Sequence, residues 1–265
     1  MSSKFTQRAS VSALAALALA LMAPDVAATH SWGGYHWART ANPFTVKVGN
    51  NMSATWTSAL NTASSDWSAS DVLNTTVVAG LSKSRSCRPT AGRVEVCNAK
   101  YGNTGWLGIA SIWITDSTHI TQGTVKLNDT YFNTASYNSP EWRALVTCQE
   151  IGHTFGLDHQ DENFDNPNLG TCMDYTSDPG TNQHPNAHDY EELDTIYSHL
   201  DATTTIGQSA QSSPDIDTGD PRNWGQLMKI SNGGRTAVYE LDLGGGRKIV
   251  NFVIFDLEGQ GRRPQ

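Results

Sequence analysis

Apolar and polar residues alternate along this chain with two different periods. Over 44–48 (F-T-V-K-V) they alternate every second position, the pattern of a half-buried strand, and Gly49-Asn50-Asn51 closes it. From 53 to 68 the period lengthens. Trp56, Leu60, Ala63 and Trp67 recur three or four residues apart, which predicts a helix packed on a sheet, with Ser53 as its N-cap. The β pattern returns at 72–79. After a polar segment at 80–92 it continues at 93–99, 106–114 and 123–128.

A second helix is predicted from Pro140 to about Thr154. Ser139 stands at its N-cap, Pro140 in the first turn and Glu141 near the positive dipole end, and Gly156 stops it. Residues 160–189 are rich in Asn, Asp, Pro and Gly and predict loops. A last helix is expected over 187–200, carrying Tyr190, Leu193, Ile196, Tyr197 and Leu200 on its apolar face. Beyond a Ser/Thr/Asp/Gly-rich stretch, 237–243 and 248–255 flank Gly244-Gly245-Gly246 as a β-hairpin would. Strand, helix, several strands, then helices give an α+β fold, a mixed and mostly parallel twisted sheet with packed helices. The expected organisation is a domain at 29–201, a linker at 202–221 and a hairpin extension at 222–265. That extension is too short for its own core and should pack on the domain.

Composition narrows the picture. Charged residues make up 17% of the 265, with a formal net charge of -8, which argues against nucleic acid or anionic membranes as partners. Residues 1–28 read as a cleaved secretory leader, with Lys4 and Arg8 ahead of an Ala/Leu-rich run at 13–22 and small residues at Val26-Ala27-Ala28. No later segment is apolar for the ~20 residues a membrane span requires. The chain is expected outside the cell, as a monomer. Its four cysteines, Cys87, Cys97, Cys148 and Cys172, favour two disulfides. Three pairings are open, and the local one, Cys87 with Cys97 and Cys148 with Cys172, is preferred here.

The chemistry concentrates at Cys148-Gln149-Glu150-Ile151-Gly152-His153-Thr154-Phe155-Gly156-Leu157-Asp158-His159. On a helix Gln149 and His153 share a face one turn apart, so both can reach one ion, while Glu150 stands beside it. Gly156 allows the turn that returns His159 to the same point. The frame is H-E-x-x-H-x-x-G-x-x-H, with Gln149 in place of the first histidine.

With Cys172-Met173-Asp174-Tyr175 downstream, this stretch resembles the metzincin clan of zinc peptidases, matrixin- and astacin-like members included, over about residues 40 to 200. The resemblance implies a secreted zinc-dependent endopeptidase acting on protein or peptide substrates. One catalytic zinc ion would be held by Gln149, His153 and His159, with Glu150 as general base and Met173 in the Met-turn beneath the ion. Tyr175 would stabilise the oxyanion. Leu107, Gly108, Ile109 and Ala110 would form the edge strand that pairs with an extended substrate.

Gln149 leaves three readings open, because an amide oxygen is a weaker zinc donor than imidazole. It is a true ligand; or Asp158, Asp161 or His184 completes the sphere; or the scaffold has lost catalysis and binds peptides or proteins. Retention of Glu150 speaks for activity. His30, His36, His119, His184, His188 and His199 lack a spaced partner and read as ordinary surface or core histidines. The oxygen-rich run 161–165 gives Ca2+ as a minor alternative to a solvated loop, since the glycine and terminal glutamate of an EF-hand are missing.

Overall fold

The chain is described by a computed structural model over residues 29–208 and 216–256. The leader at 1–28 and the middle of the 202–221 stretch lie outside the described residues. The predicted alternations become strands β1 (His36–Trp37), β2 (Phe44–Asn51), β3 (Leu73–Ala79), β4 (Arg93–Ala99), β5 (Trp106–Thr115) and β6 (His119–Asn128). The C-terminal part adds β7 (Gln226–Ile230), β8 (Thr236–Gly244) and β9 (Arg247–Phe255). The helices are α1 (Thr57–Trp67), α2 (Asp129–Phe132), α3 (Pro140–His153) and α4 (Ala187–Ile196). One sheet runs β3-β2-β4-β6-β5-β9-β8-β7, with β1 beside the start of β6.

Leu60, Ala63 and Trp67 of α1 are buried, as their spacing requires. A short 3-10 turn, Ala54–Trp56, precedes the helix, and the Ser53 side chain makes no cap bond; its N–H goes instead to Asn98 Oδ1 at 2.7 Å. α3 starts as predicted, with Ser139 Oγ accepting the Trp142 N–H at 3.2 Å. It packs on α1, where Trp67 Nε1 donates to the Cys148 carbonyl at 3.1 Å. The close approach depends on Gly152: a Cβ there would stand 2.6 Å from the Trp67 ring and 2.7 Å from Met173 Sδ. Disulfides join Cys87 to Cys97 and Cys148 to Cys172, and the second fastens α3 to the segment carrying Met173. α4 ends at Ile196, earlier than its apolar face predicts, because Arg39 Nη2 captures the Tyr197 carbonyl at 2.8 Å.

Two further expectations are corrected. The sheet is not mostly parallel: among the described residues β1, β2, β3, β4 and β6 pair in parallel, whereas β5, β7, β8 and β9 join it antiparallel, as many pairings of one kind as of the other. Strands joined by short turns can pair only antiparallel. Nor is the segment Leu107, Gly108, Ile109, Ala110 an edge. β9 pairs with it, placing Phe252 opposite Ala110, Val253 opposite Ile109 and Ile254 opposite Gly108.

The physical reason lies in β5 itself, which is buried on both faces at every position but its last. Left unpaired, such a strand would present an exposed apolar edge. β9 matches it: Val250, Phe252 and Ile254 join the main core, while Val253 and Phe255 enter a second cluster with Trp106, Ile109, Trp224 and Ala237. The described ends of the 202–221 stretch are likewise tied down. Thr205 N–H bonds to the Ala38 carbonyl at 3.0 Å, and Lys126 Nζ to Asp217 Oδ1 at 2.6 Å.

Candidate metal centre

α3 carries Gln149, Glu150 and His153, and the turn after it delivers His159. Gly156 makes that turn at φ +96°, where a Cβ would lie 2.0 Å from the Tyr35 carbonyl oxygen, so both the conformation and the space require glycine. The returning chain pairs with the N-terminal segment through Asp158 N–H to the His30 carbonyl at 2.5 Å. As a result His153 Nε2 and His159 Nε2 face each other at 3.0 Å, in almost complete burial.

The donor chemistry of this pair suits a cation. His153 Nδ1–H donates to the Leu157 carbonyl at 2.8 Å, so Nε2 of the neutral ring carries a lone pair. The Tyr175 hydroxyl is 2.8 Å from His159 Nδ1, which leaves Nε2 on the facing side. Gln149 Nε2 donates to the Cys172 carbonyl at 2.9 Å, and its Oε1 is buried with no hydrogen-bond partner. Two imidazole nitrogens and an orphaned amide oxygen one helical turn away are a donor set that zinc fits. Burial pushes the His153 imidazole well below the ordinary range, helped by His159 beside it. His159 is also lowered by burial, against the opposing pull of Asp158. Both shifts favour the neutral imidazole, the form that ligates.

Glu150 stands against β5. A Cβ on Gly108 would sit 2.7 Å from Glu150 Oε1 and 2.9 Å from Val146 Cγ1, so glycine at 108 is what lets strand and helix close around the carboxyl. Burial drives the Glu150 carboxyl well above its ordinary value, only partly opposed by the Ala110 N–H that bonds to it. Burial likewise raises the Tyr175 phenol, against the hydroxyl of Thr236. Met173 is fully buried against Gly152.

The other residues weighed for the metal sphere go elsewhere. Asp158 lies behind His159, 3.4 Å from Nδ1, and with Glu162 it is neutralised by Lys229. Burial works to raise the Asp158 carboxyl, but His159 and Lys229 together hold it well below the usual range. His184 bonds to Asp66 at 2.7 Å, and His188 stacks on His30. In the run proposed for calcium, both Asp161 oxygens and Asn163 Oδ1 accept hydrogen bonds from within the loop, so nothing supports Ca2+ there.

Three residues of the site were not legible as such. The Phe252 ring stacks on His153 with centroids 4.3 Å apart and planes within 6°. The Thr236 hydroxyl donates to Tyr175, and Lys229 Nζ reaches Asp158 at 2.7 Å. One residue from each of β7, the start of β8 and β9 thus reaches the centre and covers it. The signal available was the nearly unbroken apolar run 249–255, the pattern of a strand buried on both faces and unlike that of a surface hairpin. The structure also gathers His36, His119 and Asp201 at the start of β6, residues that gave no pattern in sequence.

No family model matches this chain, and no curated protein matches it. Among solved structures it is similar to myroilysin, at 12% identity and a TM-score of 0.35, over 61% of this chain and 96% of that one. It is also similar to high choriolytic enzyme 1, a hatching-enzyme zinc-protease of the medaka fish Oryzias latipes, at 10% identity and a TM-score of 0.34, over 62% and 94%. TM-scores this low carry no weight for function, which rests on the geometry of the site itself.

Proposed function

We propose that the chain is a secreted zinc-dependent endopeptidase, held closed by its own C-terminal strands. The observation that carries this is the approach of His153 Nε2 and His159 Nε2 to 3.0 Å, with the buried Glu150 carboxyl on the same helix facing β5. Gln149, through Oε1, would complete the protein ligands. Bound zinc would supply a Lewis acid that makes water nucleophilic near neutral pH and polarises a scissile carbonyl.

The remaining steps belong to the chain. Glu150 takes the proton from the attacking water and passes it to the leaving amine, a task for which a carboxyl of raised pKa is suited. Tyr175, held at His159 Nδ1 on the far side of the ring from Nε2, would have to turn away from it to donate its hydroxyl in a hydrogen bond to the developing oxyanion. An extended peptide would pair with 107–110 of β5, the edge where β9 now stands in its place. Two disulfides fit an oxidising, extracellular compartment.

The test is hydrolysis of casein by the purified chain with zinc or chelator, for the wild type and Glu150→Gln. Chelator-sensitive cleavage that falls by about 10²–10⁴-fold in Glu150→Gln, at unchanged zinc content, is the expected result. Cleavage undiminished in that variant would refute the assignment. Full zinc occupancy without turnover, in the wild type and in the opened variant Phe252→Ala alike, would identify a peptide-binding module instead.

A further inference from the structure

A second group of ligating side chains lies away from Gln149 and His153, where the two ends of the domain meet. β1 and β6 pair in parallel with His36 directly opposite His119, which puts the two imidazoles side by side. After α4 the chain returns to the same point and adds His199 and Asp201. His36 Nε2 is 3.5 Å from Asp201 Oδ1, His119 Nε2 is 3.4 Å from it, and His199 Nε2 is 3.7 Å from it. His199 Nε2 and His36 Nε2 are 3.2 Å apart.

These separations have a specific meaning. Four ligands placed tetrahedrally at zinc bond lengths are about 3.3 Å from one another. His36 Nδ1–H is committed to the Gly34 carbonyl at 2.7 Å, so Nε2 of the neutral ring turns a lone pair toward a carboxylate oxygen and a second imidazole. With His119 and His199 in their Nδ1–H tautomers, lone pairs of all four groups converge here, and a cation between them would satisfy them together.

The surroundings are those of a built site. Asp201 Oδ2 accepts from the Arg39 backbone N–H at 3.1 Å and from Arg39 Nη1 at 3.0 Å, which leaves Oδ1 for the imidazoles. Arg39 also holds the carbonyls of Tyr197 and His199, fixing the loop that presents both ligands. Second partners that orient each ligand in this way are the usual support of a protein metal site. His36 and Asp201 are nearly buried, whereas His199 is half exposed and offers the ion a way in.

We propose that His36, His119, His199 and Asp201 bind a second zinc ion, structural in kind. Four protein ligands leave no open position for water or substrate, and three nitrogens with one oxygen suit zinc among the common divalent ions. The ion would clamp the N-terminal strand, the β5–β6 turn and the chain after α4 to one point. The inference needs no proteolytic activity and stands apart from the function proposed above.

The test removes the motif site first. The full chain carrying His153→Ala is stripped with chelator and titrated with zinc, and bound metal is measured by elemental analysis. About one tightly held zinc per chain is expected to remain, and cobalt(II) in its place should show the visible bands of a four-coordinate ion. Adding His199→Ala should weaken binding at least tenfold, His119→Ala with it should abolish binding, and His199→Cys, which restores a zinc ligand, should retain it. The same ion should raise the melting temperature of the His153→Ala chain but not that of the triple variant. A His153→Ala chain that takes up no zinc overturns the proposal. So does one whose affinity is the same after His119 and His199 are both replaced, and melting in chelator, equal with and without those replacements, verifies that the variants fold.

Discussion

Two groups of histidines in this molecule are built in opposite ways. His153 and His159 come from one helix and the bend after it, within a single short stretch of chain, and they are sealed beneath β9. His36, His119 and His199 come from three distant segments, joined by a parallel strand pair and an arginine-held loop, with one ring half open to solvent. The first group has the unpartnered Gln149 amide oxygen on the same helix, an acid beside it and β9 as a cover. The second has three imidazoles and a carboxylate around one point, which as ligands of one ion would leave no position for a substrate. A centre that must do chemistry keeps an open or exchangeable position, and one that only holds chain together fills every position.

The cover is where this contrast is most easily broken. Phe252 is 1% exposed and lies flat on His153, so Phe252→Ala removes a large core side chain and the lid of the first centre together. A loss of about 3–5 kcal/mol is expected, read from the shift of the urea midpoint. Casein hydrolysis per folded molecule should rise, and zinc uptake by the His36 group should not change. Hydrolysis that stays at the wild-type level would mean that β9 does not limit access.

Replacing the weak donor should draw the two centres closer in affinity. Gln149→His gives the first centre a third imidazole, whose Nδ1–H can still serve the Cys172 carbonyl that Gln149 Nε2 holds at 2.9 Å. Zinc affinity there should tighten on the order of tenfold or more, as imidazole is the better donor. Competition with a chromophoric chelator, with His119→Ala and His199→Ala both present to silence the second group, measures it. An unchanged affinity would show that Gln149 does not touch the metal.

How much of this was legible follows from how each part is specified. The helix α3 and its bend were readable because cap, proline, ligand spacing and Gly156 are all local, and local rules fix their geometry. The strands β4 and β8–β9 were readable from alternation and the Gly244–Gly246 turn. What alternation cannot give is the neighbour of a strand. β5 looked like a substrate edge because nothing in 106–114 says that β9, far along the chain, will occupy it. The His36 group was hidden for the same reason: its ligands have no common period, and only the register His36 opposite His119 brings them together.

A smaller effect separates the acid from the ligands in the metal-free chain. Glu150 is held well above its ordinary value of 4.5, so the folded form keeps a proton that the unfolded chain releases, and stability falls as pH rises above that value. The His153 and His159 imidazoles have the opposite sign. Both are lowered from 6.5, the unfolded chain binds protons that the folded form refuses, and stability falls as pH drops through that range. Glu150→Gln removes only the first of these two effects. In chelator it should melt higher than the wild type at pH 7, on the order of a few degrees, with the gain vanishing toward pH 4.5. A constant difference across that window would contradict the burial of an ionisable Glu150.

The smallest change concerns the bond between the cover and Tyr175. Thr236, at the start of β8, donates its hydroxyl to the Tyr175 oxygen, and Tyr175 in turn faces His159 Nδ1 at 2.8 Å. Thr236→Val keeps the shape and deletes the donor. The loss should be about 1 kcal/mol, since the phenol keeps its histidine partner and is not left orphaned. If Tyr175 works on the oxyanion, releasing it from β8 should raise kcat with KM little altered, whereas the mere loosening of β9 would lower KM. The ratio of those two parameters, measured on a short peptide substrate, therefore tells a catalytic tyrosine from a structural one. Zinc in the His36 group should be indifferent to the change, because no strand of the cover contributes a ligand to it.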